Sequence, residues 1–234
     1  MRILHLLQSE SFSGAESIAC HIISLFREEN ELLFVSQDGP IRQELENINI
    51  NFYPLKKVDL TNIKKAVCEF KPDVIHAHDF TASFYASFCN VPVVSHLHSN
   101  PEWLSKVTIK SLAYAYALKN ISSVLGVSDI IKEEYIFKRL LKDKFIVLPN
   151  IVDADSVISK ANNEIFPGEI DILYVGRFSR EKNPLLFLQI VNELALDNND
   201  IKAVMVGNGD LLEECRCYIK DHNIENNVQL TGFL

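Results

Sequence analysis

Residues 171–184 read Asp-Ile-Leu-Tyr-Val-Gly-Arg-Phe-Ser-Arg-Glu-Lys-Asn-Pro. A short apolar strand at 172–175 leads through a polar loop to Pro184, which suits the first turn of a helix. Such a strand–loop–helix unit places backbone N–H groups, Arg177 and Lys182 beside a helix N-terminus, which favours phosphate binding. The Gly-Lys-Ser/Thr ending of a Walker loop is absent, so that class of site is excluded. An ordinary strand–turn–helix with solvated charges is the alternative interpretation.

The preceding 150 residues alternate between short apolar runs and segments of helical periodicity. This alternation predicts a doubly wound α/β fold with a parallel sheet, in which ligands bind at the carboxyl ends of the strands. The first helix is expected to bury Ile18, Ile22, Leu25 and Phe26 on one face. The predicted strands are 3–7, 32–35, 51–55, 73–78, 91–96, 123–127 and 145–148, and the predicted helices include 60–70, 80–89, 102–119 and 129–141.

Apolar periodicity lapses at 154–169, a stretch that contains Asn162-Asn163 and Pro167-Gly168 and is therefore predicted to be a linker. We predict two domains on either side of it. Residues 1–165 form a complete N-terminal Rossmann-like domain, and residues 166–234 form a partial second one. The second is expected to contain strands 171–175, 201–206 and 228–231 and helices 184–196 and 210–222.

Composition limits the class of protein. The chain of 234 residues carries 23 Lys and Arg against 31 Asp and Glu, a net charge of −8, which argues against a general nucleic-acid-binding protein. Its five cysteines are odd in number and scattered, which indicates a reduced compartment rather than a disulfide framework. No signal-peptide pattern precedes the first strand, and no run approaches the roughly 20 apolar residues of a membrane span. A cytoplasmic protein is expected.

Two His-x-His pairs, His76/His78 and His96/His98, stand at the ends of two predicted strands. Alternate residues of a strand share a face, so each pair can present two imidazoles together. Core histidines with hydrogen bonds are the favoured interpretation, and a metal site is the alternative; the further Asp-His of metallo-hydrolase patterns is absent. His98 differs from the others because it falls just past its strand, where a loop would carry it to the ligand edge.

Glycine- and asparagine-containing turns follow several strands. Gly14 lies in the loop after the first strand, where it either lets a ligand approach the backbone closely or fits a tight turn. Asn150 follows the last strand of the first domain. In the second domain Gly176 ends the first strand, and Gly207-Asn208-Gly209 follow the second. Each is a ligand-edge candidate, with turn formation as the alternative.

The segment 103–119 combines aromatic residues with Lys106, Lys110 and Lys119 and contains no acidic residue. This composition suits peripheral contact with an anionic membrane surface, on the inner side of the membrane, or with an acidic lipid-linked acceptor. A half-buried helix whose lysines extend outward is the favoured interpretation.

These features, taken in chain order, resemble family 4 glycosyltransferases of the GT-B fold along almost the whole chain. Two positions depart from the family pattern, since Ser13 and Ile151 each stand where a glycine is usual. The matching stretches are Ser13-Gly14-Ala15-Glu16, 73–78, 92–98, 124–128 with 148–153, Gly176-Arg177 with Lys182, and Gly207-Asn208-Gly209.

The resemblance implies a retaining, hexosyl-type transferase that moves a sugar from a nucleotide-diphosphate sugar to a glycan or lipid-linked acceptor, without a cofactor or an obligatory metal. It assigns Arg177, Lys182 and Gly14 to the donor diphosphate and His98 to positioning of the donor sugar. The two cations would stabilise the leaving diphosphate in place of a divalent ion.

One departure concerns the last part of the family's site. In the family, two glutamates separated by seven residues complete this site. No such pair occurs in the sequence; Glu213 with Asp221 comes nearest. We therefore expect a chain truncated within the donor domain, with negligible catalysis alone and self-association through an incomplete C-terminal sheet. The alternative function is a non-catalytic relic or subunit that binds a partner. A GT-B epimerase or phosphorylase is a further alternative.

Overall fold

The computed structural model describes residues 1–150 and 169–232, together with residues 154, 157, 158 and 161. The chain divides into two compact units, Met1–Ser156 and Val157–Leu234. The predicted boundary at 165/166 falls among residues 162–168, which lie outside the described residues. Both units are α/β folds with parallel sheets, which confirms the predicted fold class.

A seven-stranded parallel sheet forms the centre of the first unit. Its strands are β1 (Arg2–Leu6), β2 (Glu31–Gln37), β3 (Phe52–Leu55), β4 (Val74–Ala77), β5 (Val93–Leu97), β6 (Ser123–Gly126) and β7 (Phe145–Val147). They are arranged in the order β3-β2-β1-β4-β5-β6-β7. Because the order reverses between β1 and β4, the carboxyl ends of these two strands form the switch point at which such sheets bind ligands.

The helices of this unit begin at capping side chains that their sequences supply. Asp59, Asp79, Thr108 and Ser128 each accept a hydrogen bond from a first-turn backbone N–H. Among the described residues no helix has both the length and the apolar character needed to cross a bilayer. The helices are α1 (Gly14–Phe26), α2 (Ile41–Asn47), α3 (Leu60–Phe70), α4 (Phe80–Ala86), α5 (Ile109–Ala117) and α6 (Asp129–Glu134), with 3₁₀ turns at Glu102–Ser105 and Lys138–Leu141.

The segments 102–119 and 129–141 were each predicted to be one helix, and both predictions were wrong. Each segment is divided in the structure into one helix and one 3₁₀ turn. Thr108 is extended and forms a capping box with Ser111, which starts α5 afresh. Tyr135 is also extended, and its buried hydroxyl donates to the Ser111 carbonyl at 2.9 Å. A cap and a tertiary hydrogen bond therefore override the helical periodicity at these two points.

The buried face of α1 also differs from the prediction. Burial centres on Ala19 and Ile23, which belong to a core cluster with Leu7 and Phe34. Leu25 and Phe26, both predicted to be buried, are 62% and 51% exposed. The small side chain of Ala19 lets the helix approach the sheet, which apolar periodicity alone does not reveal.

Alternate residues of the central strands face opposite sides of the sheet. Leu4 and Leu6 of β1 pack into the larger core with Ile75 and Ala77 of β4. The intervening positions therefore point to the other face, where Ile3 packs against the core cluster of α1 and β2. Histidines occupy several of these positions, and this alternation places them together.

The second unit is a three-stranded parallel sheet with two helices. Its strands are β8 (Ile172–Val175), β9 (Ala203–Val206) and β10 (Val228–Gly232), in the order β10-β9-β8, and its helices are α7 (Pro184–Asp197) and α8 (Leu212–Asp221). Phe178, Leu188 and Met205 are fully buried in its core. On the edge strand β8, Leu173 and Val175 are 55% and 70% exposed. Self-association through this sheet stays a prediction.

Candidate functional site

Five histidines lie side by side on one face of β1, β4 and β5 and in the loops that follow β4 and β5. His5 on β1 is in register with His76 on β4. Successive ring centroids are 4.0 to 5.5 Å apart. We call His5, His76, His78, His96 and His98 the histidine cluster. It stands at the switch point of the sheet.

The imidazoles of the histidine cluster pair with one another. His5 Nδ1 is 3.0 Å from His78 Nε2, and His78 Nδ1 is 3.1 Å from His98 Nε2. His76 Nε2 is 3.3 Å from His96 Nδ1. His96 lies within β5 and is buried, whereas His98 follows the strand and is only partly buried. The predicted placement of these two residues is confirmed, and the role of His98 stays a prediction.

Burial keeps the histidine cluster neutral at pH 7. It lowers the pKa of His5, His76 and His96 to about 3, with a smaller contribution from neighbouring histidines. The pKa of His78 is also well below its usual value, mainly because of burial. Burial lowers the pKa of His98 to about 4, and hydrogen bonding to the Asn150 side chain acts in the opposite direction. The cluster therefore offers neutral nitrogens as donors and acceptors.

Asp79 ties the loops after β1 and β4 together. Its carboxylate accepts from the Gln8 N–H at 2.9 Å and from the Ala82 N–H at 2.7 Å. Burial raises the pKa of Asp79, and these backbone hydrogen bonds oppose that shift. Asp79 is therefore a capping residue that fixes the first loop beside the histidine cluster.

Gly14, predicted to lie against a ligand, is the first residue of α1. Among the described residues, apart from its chain neighbours and its own helix, nothing lies within 4 Å of the position that a Cβ at this residue would take, so their packing does not require glycine here. The preceding Ser13 hydroxyl donates to the Glu16 carboxylate, which holds the helix start. The space beside the Gly14 backbone is open, which close approach of a ligand would require.

A cavity of about 390 Å³ opens beside the histidine cluster in the first unit. Its walls include the residues that directly follow His78 and His98, namely Asp79 and Ser99. Aromatic rings make up much of the rest, with the Phe80 ring centroid 4.7 Å from that of Trp103. Lys110 adds a cation at the wall. This mixture suits a sugar or a lipid-linked anion.

In the second unit, the loop after β8 packs directly on the turn after β9. Phe178 N–H donates to the Asn208 carbonyl at 2.9 Å, and Gly176 N–H donates to Val206 at 3.0 Å. Gly207 has a φ of +135°, and a Cβ there would lie 2.0 Å from the Gly176 carbonyl oxygen. Gly209 is similarly constrained, with a φ of +156° and a Cβ position 2.5 Å from the Phe178 carbonyl oxygen. Both glycines are thus required by packing and backbone conformation.

Arg177 and Lys182 are exposed in the loop that leads into α7. Among the residues that the structure describes, neither has a carboxylate oxygen within 4.0 Å of its charged nitrogens. Asn183 enters α7 in the left-handed conformation and makes no side-chain cap, and Pro184 occupies the first turn. Two cations and an uncapped helix N-terminus are features that can hold an anion, and the assignment of Arg177 and Lys182 to the donor diphosphate stays a prediction.

The site also contains residues that the sequence analysis did not select. His5 joins the histidine cluster, and Gln8 and Asp79 shape the loop beside it. A single histidine within the apolar run of the first strand was the available signal for His5. For Asp79, the signal was its position directly before a predicted helix, where an Asp side chain can accept a hydrogen bond from the backbone N–H three residues later. The ligand-edge candidate Asn150 lies within the described residues, and residues 151–153 of the matching stretch 148–153 lie outside them.

Comparison with known proteins covers both units. Residues 14–156 match the family described as "Glycosyltransferase Family 4", which is more than half of the chain. Residues 155–234 match the family "Glycosyl transferases group 1". The first match contains His76, His78, His96 and His98, and the second contains the Arg177 loop.

One curated relative is N-acetylgalactosamine-N,N'-diacetylbacillosaminyl-diphospho-undecaprenol 4-alpha-N-acetylgalactosaminyltransferase of Campylobacter jejuni. It is 30% identical over 146 residues, which are 62% of this chain and 38% of that protein. The chain spans about half or less of the length of the first curated relatives that it matches, between 38% and 50%.

Solved structures share the fold. HepE of Anabaena in complex with UDP is 22% identical with a TM-score of 0.77, over 100% of this chain and 70% of that chain. UDP-GlcNAc 2-epimerase of Neisseria meningitidis, bound to UDP-GlcNAc, is 16% identical with a TM-score of 0.64, over 100% of this chain and 73% of that one. At these identities the likeness shows the fold alone.

Proposed function

The chain belongs to glycosyltransferase family 4. We therefore propose that it forms part of a transferase that moves a sugar from a nucleotide-diphosphate donor to a glycan or lipid-linked acceptor. The observation that carries this proposal is the exposed pair Arg177 and Lys182 at the start of α7, within a stretch that matches glycosyl transferases group 1. UDP in the related Anabaena structure supports a nucleotide-diphosphate ligand.

The second unit is proposed to bind the donor diphosphate. During transfer the leaving diphosphate gains negative charge, and groups aimed at that charge lower the barrier. The guanidinium of Arg177 can fork onto two phosphate oxygens, and Lys182 adds a point charge. The rigid packing of Gly176 against Gly207 holds the loop backbone in place. These cations do the work of a divalent ion, so no metal is required for transfer.

In the first unit, His98 is proposed to position the donor sugar. Its imidazole is neutral at pH 7 because its pKa is lowered to about 4. A neutral imidazole both donates and accepts a hydrogen bond, which suits a sugar hydroxyl. Its 3.1 Å contact with His78 fixes the ring, so His98 acts by orientation and not by acid catalysis. Gly14 leaves room for the ligand at the adjacent loop.

Retention of anomeric configuration is part of the proposal and rests on the resemblance to retaining family members. An inverting transferase would need a general base to deprotonate the acceptor hydroxyl. Asp79 is the carboxylate at the cavity wall, and two backbone N–H groups already engage it. These hydrogen bonds give Asp79 a structural role, and because burial raises its pKa they do not exclude it as a base, so retention rests on the resemblance.

The cavity lined by Phe80, Trp103 and Lys110 is proposed to hold the acceptor. Aromatic rings pack against the apolar face of a sugar, and the ammonium of Lys110 attracts a phosphate. The Campylobacter relative is named for a diphospho-undecaprenol-linked acceptor, which supports a lipid-linked acceptor here.

A screen of nucleotide sugars tests the proposal. The protein is incubated with UDP- and GDP-sugars and lipid-linked acceptors, and the released nucleoside diphosphate and the anomeric signals of the product are measured. We expect release that depends on the acceptor and a product that retains the donor configuration. Isomerised donor without acceptor would indicate an epimerase, an inverted product would contradict retention, and donor binding without any conversion would support a non-catalytic subunit.

Peripheral contact with an anionic membrane is also proposed for the surface around α5. Four large apolar side chains are at least half exposed there: Val107, Ile109, Leu112 and Tyr116. Lys106, Lys110 and Lys119 are exposed in the same segment. Exposed apolar groups with interspersed lysines are typical of surfaces that lie in the headgroup region.

Replacing Lys106, Lys110 and Lys119 together with Glu should weaken binding to phosphatidylserine-containing vesicles. Each lysine near such a surface contributes about 1 kcal/mol, so the loss should exceed about 100-fold at low salt. Vesicle co-sedimentation measures it. The matched control replaces three exposed lysines elsewhere on the first unit, Lys56, Lys57 and Lys64. Equal loss in both variants, or no vesicle binding by the unmodified protein, would contradict the proposal.

A further inference from the structure

Three buried nitrogens of the histidine cluster lack a hydrogen-bond partner among the described residues: His5 Nε2, His96 Nε2 and His98 Nδ1. His96 Nε2 has no hydrogen-bond partner among the described residues, although His96 is 1% exposed. A buried polar atom left unpaired costs free energy, so such atoms call for an explanation. Ligand nitrogens of His78, His96 and His98 all lie within 4.8 Å of one another.

These nitrogens are spaced as a tetrahedral metal ion requires. Zinc binds histidine nitrogen at about 2.0–2.1 Å, so two of its nitrogen ligands lie about 3.3 Å apart. His78 Nδ1 and His98 Nε2 are 3.1 Å apart. The partly buried position of His98 gives an ion a way in from solvent, while His78 and His96 are buried.

The remaining two histidines occupy the places of outer partners. Histidines that bind metals usually engage their second ring nitrogen in a hydrogen bond, which fixes the ring and its tautomer. The second nitrogen of His78, Nε2, pairs with His5 at 3.0 Å. The second nitrogen of His96, Nδ1, pairs with His76 at 3.3 Å. All five members of the cluster thus have a part in one site.

We propose that His78, His96 and His98 bind one Zn²⁺ or a similar first-row transition ion, with His5 and His76 as outer partners. Imidazole suits zinc, nickel, copper and cobalt and not magnesium or calcium. Ligation needs neutral imidazoles, so the affinity for the ion should fall as the pH is lowered.

The alternative grouping of His5, His76 and His78 also brings three histidines within 4.8 Å. Each grouping has two buried members and one partly buried member. They differ in the place of the partly buried one: His76 lies within β4, whereas His98 follows β5 and directly precedes Ser99 at the cavity wall. The grouping that includes His98 is therefore the one proposed.

Occupancy would have a functional consequence, and this step rests on the proposed function. A metal bound at His98 Nε2 replaces the His78 contact that orients the ring for the donor sugar and turns the ring toward the ion. Ion binding and sugar transfer should therefore exclude each other, and the ion acts as a reversible inhibitor and not as a catalyst.

Binding is tested on protein without an affinity tag, freed of metal by chelation. Cobalt titration followed by visible absorption reports tetrahedral ligation, and competition with a chromophoric chelator gives the zinc affinity. We expect about one equivalent of each ion per chain, as the one site formed by His78, His96 and His98 implies. Less than a tenth of an equivalent of bound cobalt and zinc would overturn the proposal.

Single substitutions locate the site. His98→Gln should abolish the cobalt absorption, and because His98 is partly exposed the variant should fold normally, as circular dichroism will show. His76→Gln should weaken zinc binding by about 10- to 100-fold, as loss of an outer partner does. His222→Gln, an exposed histidine of the second unit, is the matched control and should bind normally. Normal cobalt absorption in folded His98→Gln would overturn the proposal.

The inhibitory step has its own readout. In protein active for transfer, one equivalent of Zn²⁺ should suppress activity, and a chelator should restore it. Metal bound at the site with transfer unchanged would overturn the inhibition. Because cobalt and zinc binding are measured without any nucleotide sugar, failure to find a donor would refute the proposed function and leave the metal site to be judged separately.

Discussion

Replacing Arg177 with alanine is expected to lower kcat for sugar transfer by about 10²–10³-fold, the loss seen when one donor to a developing negative charge is removed. Arg177 makes no ion pair within 4.0 Å in the part of the chain that the structure describes. Its side chain is exposed, so removal should leave the free energy of unfolding within about 0.5 kcal/mol. The measurements are single-turnover transfer in active protein and urea unfolding.

Arg180→Ala is the matched control, because Arg180 is an exposed arginine three residues along the same loop. It tests whether general positive charge or the particular placement of Arg177 matters. Arg177→Lys should recover part of the loss, since an ammonium keeps the charge but not the fork. Equal losses in Arg177→Ala and Arg180→Ala, or unchanged kcat and UDP affinity in Arg177→Ala, would reject the assignment.

The sheet of the first unit could be predicted because its signal is local and repeated. Short apolar runs such as those at β1 and β4 alternate with helical segments, and handedness rules leave few ways to arrange them. The breaks at Thr108 and Tyr135 could not be predicted in the same way. At Thr108 a capping box starts a new helix although the apolar periodicity continues. At Tyr135 the helix ends where the side chain makes a hydrogen bond to Ser111, which is distant in sequence.

The candidate site was predictable to a different degree in the two units. In the second unit, Gly176 and Gly207 were selected as ligand-edge candidates with turn formation as the alternative, and the structure adds that a Cβ at Gly207 would lie 2.0 Å from the Gly176 carbonyl oxygen. In the first unit, the sequence showed two histidine pairs but not their union. That union depends on the pairing of β4 with β5, and the register of β1 against β4 adds His5 opposite His76. Register between strands 70 residues apart is not encoded in any local pattern.

His98 and His96 are expected to respond oppositely to replacement by alanine. His98→Ala should lower kcat by about 10²-fold, because a positioning contact to the donor sugar is lost. Its effect on stability should be small, since His98 is partly exposed and water can take its place beside His78. Chelator is present throughout, so that bound metal contributes to neither measurement.

His96→Ala should instead lower the free energy of unfolding by about 1–3 kcal/mol, the cost of leaving a buried partner unsatisfied. The partner is His76, whose Nε2 lies 3.3 Å from His96 Nδ1. The kcat of the folded fraction should fall less than in His98→Ala, because His96 lies within β5 and is 1% exposed. Urea unfolding and single-turnover transfer measure the two effects, with His222→Ala as the control. If His96→Ala has the larger loss of kcat and His98→Ala the larger loss of stability, the positioning role belongs to the other member of the pair.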